Sequence, residues 1–211
     1  MNETRLRDDI AALGRSLHER GLTHGSTGNI SARCADGWLL TPTGSSLGCL
    51  DPARLSKLDW NGKLLAGDPP SRENFLHLAM YEERPRSGAV VHLHATHSVA
   101  VSVLADTNAD DALPPLTAYY VMRIGTLPMA PYHAPGDPAL AAAVRRLAAR
   151  HHAVLLANHG PVVAGSGLAA AADAIEELEA TARLYLLLRG EKTRPLDATQ
   201  VAELRQRYPG A

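Results

Sequence analysis

Apolar residues open the chain at near-helical spacing. Ile10, Leu13, Leu17 and Leu22 recur every few positions, with Gly21 as a stop, and predict a first helix over about residues 3–20. Two Gly/Ser/Thr turns follow, at 25–29 and 41–46, each bordering a short strand pattern at about 30–33 and 38–41. Residues 55–59 and 62–66 read as a hairpin around Trp60-Asn61-Gly62. After Pro69-Pro70, Ser71 stands where an N-cap would, and a helix is expected to about Tyr81. The tract 89–94 reads as a strand leading into a helix over about 96–104, then a polar, Pro-containing loop over 106–115 and a short strand over 127–131. Pro138 suits the first turn of a helix reaching about residue 149. Apolar runs at 153–157 and 161–164 flank the turn Asn158-His159-Gly160. A last long helix over about 168–188 places Ala171, Ile175, Leu178, Ala182 and Tyr185 on one face. Short strands interleaved with helices, without repeats or linkers, predict one α/β domain spanning residues 1–211.

Charge narrows the partners. A net charge of −1 and a pI near 6.8 leave no basic surplus for nucleic acid or an acidic membrane. Small molecules, or further copies of the chain, are the expected partners. Cys34 and Cys49 form no CxxC pair and are read as reduced thiols. The N-terminal residues carry no secretory pattern, and no apolar run is long enough for a membrane helix, so a cytoplasmic location is expected.

The most informative triplet is His92-Leu93-His94. Residues two apart on a strand face the same way, so the two imidazoles converge while Val91 and Leu93 face the packed side. Such a pair is half of a metal site that His159, at the tip of an apolar strand, is suited to complete; the alternative is that all three are buried structural or surface histidines. His97 extends the run to HLHATH, but a helix starting there would turn it away. His151 and His152 follow a helix, where positive charge suits the dipole, and are read as structural. Glu73 is the carboxylate candidate, either a first-turn capping acid or a group that ligates the metal and moves a proton. His77, one turn beyond it, is read as structural. The turns 25–29 and 43–46 offer backbone N–H groups and small hydroxyls for an anion, and Ser71-Arg72 could add to them. Neither turn matches a P-loop or a dinucleotide fingerprint.

In this order, GSTGNIS, TPTGSS, Ser71-Arg72-Glu73, HLH and Asn158-His159-Gly160 resemble the class II aldolase/adducin family over essentially the whole chain. The resemblance implies a three-layer α/β/α sandwich around a mostly antiparallel mixed sheet, usually a homotetramer with active sites at subunit interfaces. It implies that His92, His94 and His159 bind zinc or a similar ion such as Mn2+ or Co2+, with Glu73 as the acid/base. It also implies that Thr27, Gly28, Asn29, Thr43, Gly44, Ser71 and Arg72 surround a substrate phosphate. Members use a tyrosine from a neighbouring subunit as proton donor, and Tyr119 and Tyr120 both lie in that segment. LTPTGSSLG, ENFLHLAMY, HLHATHSVAVS, LPPLTAYYVMRIG and LLANHGPVVAG look most like the branch that decarboxylates 3-oxo-tetronate 4-phosphate, a small phosphorylated sugar acid, to dihydroxyacetone phosphate. Sugar-phosphate aldolases tend to carry two serines before the glutamate, whereas Arg72 replaces the second here. The rival readings are a fuculose-phosphate-type aldolase or epimerase, and an adducin-like interaction module without catalysis. Arg123 is a candidate clamp for the substrate carboxylate or, alternatively, a solvated or interface arginine.

Overall fold

Alternation along a strand sends successive side chains to opposite faces of a sheet, and this sheet buries both. The computed structural model describes residues 2–134 and 136–208, so the extreme ends of the expected domain lie outside the described residues. Its strands are β1 (Asn29–Cys34), β2 (Gly37–Leu40), β3 (Ser56–Leu58), β4 (Leu64–Ala66), β5 (Ala89–His92), β6 (Met129–Ala130), β7 (Ala153–Leu156) and β8 (Gly160–Gly165). They form one sheet in the order β4-β3-β2-β1-β5-β8-β7-β6. Six of the seven neighbouring pairs are antiparallel, and β6–β7 is parallel. The helices are α1 (Glu3–Glu19), α2 (Asn74–Glu83), α3 (Thr96–Val103), α4 (Ala118–Arg123), α5 (Pro138–Ala148), α6 (Leu168–Leu187) and α7 (Ala198–Arg207).

Ile30, Ala32, Leu39, Val91 and Val163 point to one face, where Ile10 and Leu17 of α1 and Ile175 and Leu178 of α6 cover them. Their sequence neighbours Trp38, Leu40, Val90 and Val162 point to the other, against Leu76 and Met80 of α2 and Leu140 and Val144 of α5. Helices on both faces make the expected α/β/α sandwich. Each fully buried aliphatic side chain contributes roughly 1.5–3 kcal/mol by leaving water.

The expected elements are present, with instructive shifts. Helix α2 begins at Asn74, three residues after Ser71. The intervening segment is held against the end of β2 by a Pro42–Pro70 bridge and by Ser71 N–H donating to Thr41 O at 3.3 Å. Glu73 therefore occupies the N-cap position without making a side-chain cap bond, which corrects the capping-acid reading. Strand β5 stops at His92, so His94 lies just beyond it. Helices α4 and α7 were not anticipated. The first is a short aromatic segment between Pro115 and Gly125, and the second is mostly polar, with no fully buried residue and only Val201 and Leu204 resting on the core.

His152 is structural, as expected, but neutral rather than charged. It follows α5, its Nε2 donates to Arg123 O at 2.8 Å, and burial pushes its pKa down to about 4. His77 is wholly buried and is pushed down to about 3 for the same reason. Both are neutral when folded, whereas the unfolded chain protonates them near pH ~6.5. The unfolded state then binds more protons between these values, so their stability contribution is full above pH ~6.5 and is lost as pH falls toward about 4. The melting temperature is expected to fall across that window, and more shallowly in His152→Asn. Scanning calorimetry from pH 7 to 4 checks this, and parallel curves for the two proteins would contradict it.

Candidate metal centre

Strand β5 delivers His92 to the end of the sheet, and two residues of extended chain bring His94 beside it. His159 arrives on the tight turn between β7 and β8, where Asn158 adopts φ 58°, a conformation asparagine tolerates. Gly160 lets this turn close on the histidine segment: a Cβ there would stand 2.3 Å from Leu93 O. Gly28 does the same from the other side, since its φ is 79° and a Cβ would stand 2.9 Å from His92 O. The glycines beside the metal candidates thus work as close-packing positions.

The imidazoles meet through their Nε2 atoms. His92 to His94 is 3.1 Å, and His94 to His159 is 3.1 Å. Glu73 Oε1 lies 3.0 Å from His159 Nε2, and Oε2 lies 3.5 Å from His92 Nε2. One atom from each of the four residues falls within 4.8 Å of the others. His92 Nδ1 faces Pro161 O at 2.8 Å. A carbonyl only accepts, so Nδ1 carries the proton and Nε2 presents a bare lone pair to its neighbours. Burial lowers the His92 pKa, and burial with the neighbouring imidazoles pushes His94 to about 3. The bare Nε2 of His92 and the ring nitrogens crowded beside it form a pocket of donors that a cation can occupy. Two nitrogens sharing one tetrahedral divalent ion stand about 3.3 Å apart, close to the spacing found. The donor set fits a divalent metal.

Burial pushes the Glu73 carboxyl up, but the imidazoles of His92 and His159 and the Asn29 amide outweigh it and hold the group well below the usual carboxylate range. It is therefore ionised at neutral pH, as a metal ligand or a general base must be. Asn29 Nδ2 donates to Glu73 Oε2 at 2.7 Å and to Ser71 Oγ at 3.1 Å. Ser71 Oγ also accepts from Glu73 N–H at 3.3 Å. The turns carrying Thr27, Asn29, Thr43, Gly44, Ser71 and Arg72 are gathered on this side, with Thr43 N–H donating to Pro69 O at 3.0 Å. Thr43, Gly44 and Arg72 are exposed, whereas the Thr27 hydroxyl is engaged with His24 O at 2.6 Å.

A cleft of about 590 Å³ opens past His94 and His159 and is lined by His24, Thr96, Tyr132 and His133. The sequence reading did not single out His24, Tyr132 or His133, since each sits in an unpatterned loop. His97 turns away as expected, its Nδ1 meeting Glu179 at 2.7 Å. Arg123 pairs with Asp173 at 2.6 Å. Tyr119 is 60% exposed, while Tyr120 is wholly buried in this chain's own core with an unpartnered hydroxyl. A second set of ligand-type groups, Glu3, Cys34 and Asp36, is already bridged by the Lys57 ammonium at 2.9 Å from each carboxylate.

Residues 8–186 match the family described as the Class II Aldolase and Adducin N-terminal domain. The chain belongs to that family. Within the class II aldolases, a 3-oxo-tetronate 4-phosphate decarboxylase of Cupriavidus necator is 50% identical over 89% of this chain and 86% of its own length. An L-fuculose phosphate aldolase of Escherichia coli is 35% identical over 88% of this chain and 85% of its own. The crystal structure of YgbL from Escherichia coli superposes with a TM-score of 0.94 at 47% identity, covering 96% of this chain and 99% of that one. The class II aldolase fold expected from the motifs is therefore present. Among the described residues, no helix is long and apolar enough to cross a membrane.

Proposed function

We propose that this chain is a metal-dependent carboxy-lyase, one domain over residues 1–211, that converts 3-oxo-tetronate 4-phosphate to dihydroxyacetone phosphate and CO2. The observation that carries the reading is the convergence of His92, His94, His159 and Glu73 beside turns gathered around one end of the sheet. Identity supports the choice of leaving group: 50% to the Cupriavidus decarboxylase against 35% to the fuculose phosphate aldolase. Arg72, where aldolases tend to carry a second serine, agrees with it.

His92, His94 and His159 hold the ion, with zinc favoured by three neutral imidazoles and a carboxylate. A divalent ion held there would supply Lewis acidity toward the ketone oxygen and the negative charge that builds on it. The residues do the rest. Thr43, Gly44, Ser71 and Arg72, with Thr27, Gly28 and Asn29, orient the phosphate so that the ketone lies over the histidines. The electron pair left on carbon when CO2 departs takes up one proton, drawn from solvent and relayed through Glu73, which is ionised at rest and held by Asn29. Tyr119, exposed on α4, is the residue able to reach a neighbouring subunit's site, whereas Tyr120 is sealed in its own core. This implies a homotetramer with interface active sites, working in the cytoplasm.

Product analysis tests the leaving group. Synthetic D-erythronate- and L-threonate-derived oxo-phosphates are expected to yield CO2 and dihydroxyacetone phosphate in equal amounts. Turnover of L-fuculose 1-phosphate to an aldehyde, with no CO2 from either oxo-acid, would overturn the assignment in favour of an aldolase.

A further inference from the structure

Behind the candidate centre lies a buried polar chain that the proposed chemistry has not used. Asn29 and Ser31 alternate on β1 and face α2, whose Glu73, His77 and Tyr81 recur every fourth residue. His77 Nε2 lies 2.5 Å from Asn29 Oδ1, His77 Nδ1 lies 2.7 Å from Ser31 Oγ, and Ser31 Oγ lies 2.9 Å from Tyr81 OH. Ser31 and His77 are wholly buried, and Trp38 stacks on the His77 ring at 6.4 Å and 13°.

The direction of every bond in this chain follows from one end. Ionised Glu73 only accepts, so the Asn29 atom facing it is the NH2 group. The Asn29 oxygen then faces His77, whose Nε2 must carry a proton. A second proton on a ring without a facing carboxylate would leave a charge in the core, so Nδ1 accepts from Ser31. Tyr81 in turn donates to Ser31. The two N–H groups of the Asn29 amide span Ser71, in the phosphate turn, and Glu73.

We propose that the buried chain Tyr81–Ser31–His77 locks the Asn29 amide in one orientation, making His77 a positioning residue that ties the phosphate turn to Glu73. Without the His77 donor the Asn29 oxygen loses its buried anchor, and the amide, held only at its NH2 end, can swing and loosen its bonds to Glu73 and Ser71. The role of Glu73 as acid/base rests on the function proposed above, but the locked amide does not.

The test therefore has two arms. In the first, nitrogen-resolved NMR of histidine-labelled wild-type protein at pH 7 is expected to show His77 as the Nε2–H tautomer. An Nδ1–H tautomer, or an imidazolium, would overturn the proposal whatever the substrate is. In the second, His77→Leu removes the donor and His77→Gln restores an N–H near the same place. His77→Leu is expected to lose about 10- to 100-fold in kcat, with a raised KM for the phosphorylated substrate and unchanged metal content. His77→Gln is expected to recover most of that loss. Equal activity in the two variants would overturn the proposal, and if His77→Leu fails to fold, the tautomer decides alone. Wild-type protein with the Nε2–H tautomer but no decarboxylation would instead count against the proposed reaction.

Discussion

His94→Ala protein is expected to purify with little bound divalent metal and to lose roughly 10³-fold or more in kcat. His94 is the hub of the cluster, with its Nε2 3.1 Å from both His92 and His159. Removing it opens the centre toward the cleft and leaves two imidazoles and a carboxylate, a weaker donor set for a tetrahedral ion. The ion contributes several kcal/mol of charge stabilisation in the transition state, and each 1.36 kcal/mol is a factor of ten in rate. The fold should survive, because His94 lies beyond β5 and is only partly buried. Metal analysis by mass spectrometry, steady-state kinetics and circular dichroism check the three statements together. Chelation of the wild-type protein should reproduce the kinetic loss, and adding back zinc, manganese or cobalt should rank the ions. A folded His94→Ala protein with full metal and near-normal turnover would remove the histidine cluster from the mechanism.

Much of this centre was legible in the sequence because its signals are local. His92-Leu93-His94 needs only strand alternation, and Asn158-His159-Gly160 needs only a turn between two apolar runs. The sandwich follows from the same logic, since Val90 and Val91, or Val162 and Val163, are both apolar and can only serve opposite buried faces. What the sequence did not disclose is non-local. The capping alternative for Glu73 could not be set aside from sequence, because the delay of α2 depends on the Pro42–Pro70 bridge across the chain. The Asn29–His77 contact spans 48 residues, although the spacings Asn29-x-Ser31 and Glu73-x3-His77-x3-Tyr81 were visible separately. Helix α7 had a readable start, an Asp197–Gln200 capping box, but only Val201 and Leu204 as an apolar stripe, too short to predict it. Which of Tyr119 and Tyr120 the core of α4 would bury was not readable either, since the two are adjacent aromatics, and it is Tyr120 that is buried.

Glu73→Gln separates proton transfer from metal binding. The amide has the same shape, and its oxygen can still accept from Asn29. Metal content should therefore stay near that of the wild type, held by the three histidines. Turnover should fall about 10²- to 10⁴-fold, the usual contribution of a positioned acid or base. The pH dependence gives a second check. Burial raises the Glu73 carboxyl, but the imidazoles and Asn29 more than reverse this and hold it low, so it keeps its base form well into the acid range. The acid limb of wild-type activity is then set by protonation of the histidines and release of the ion, not by Glu73. Glu73→Gln should lower the whole pH–rate profile without moving that limb. A variant that loses metal would make Glu73 chiefly a ligand, and one that keeps both metal and rate would leave the proton transfer to another group.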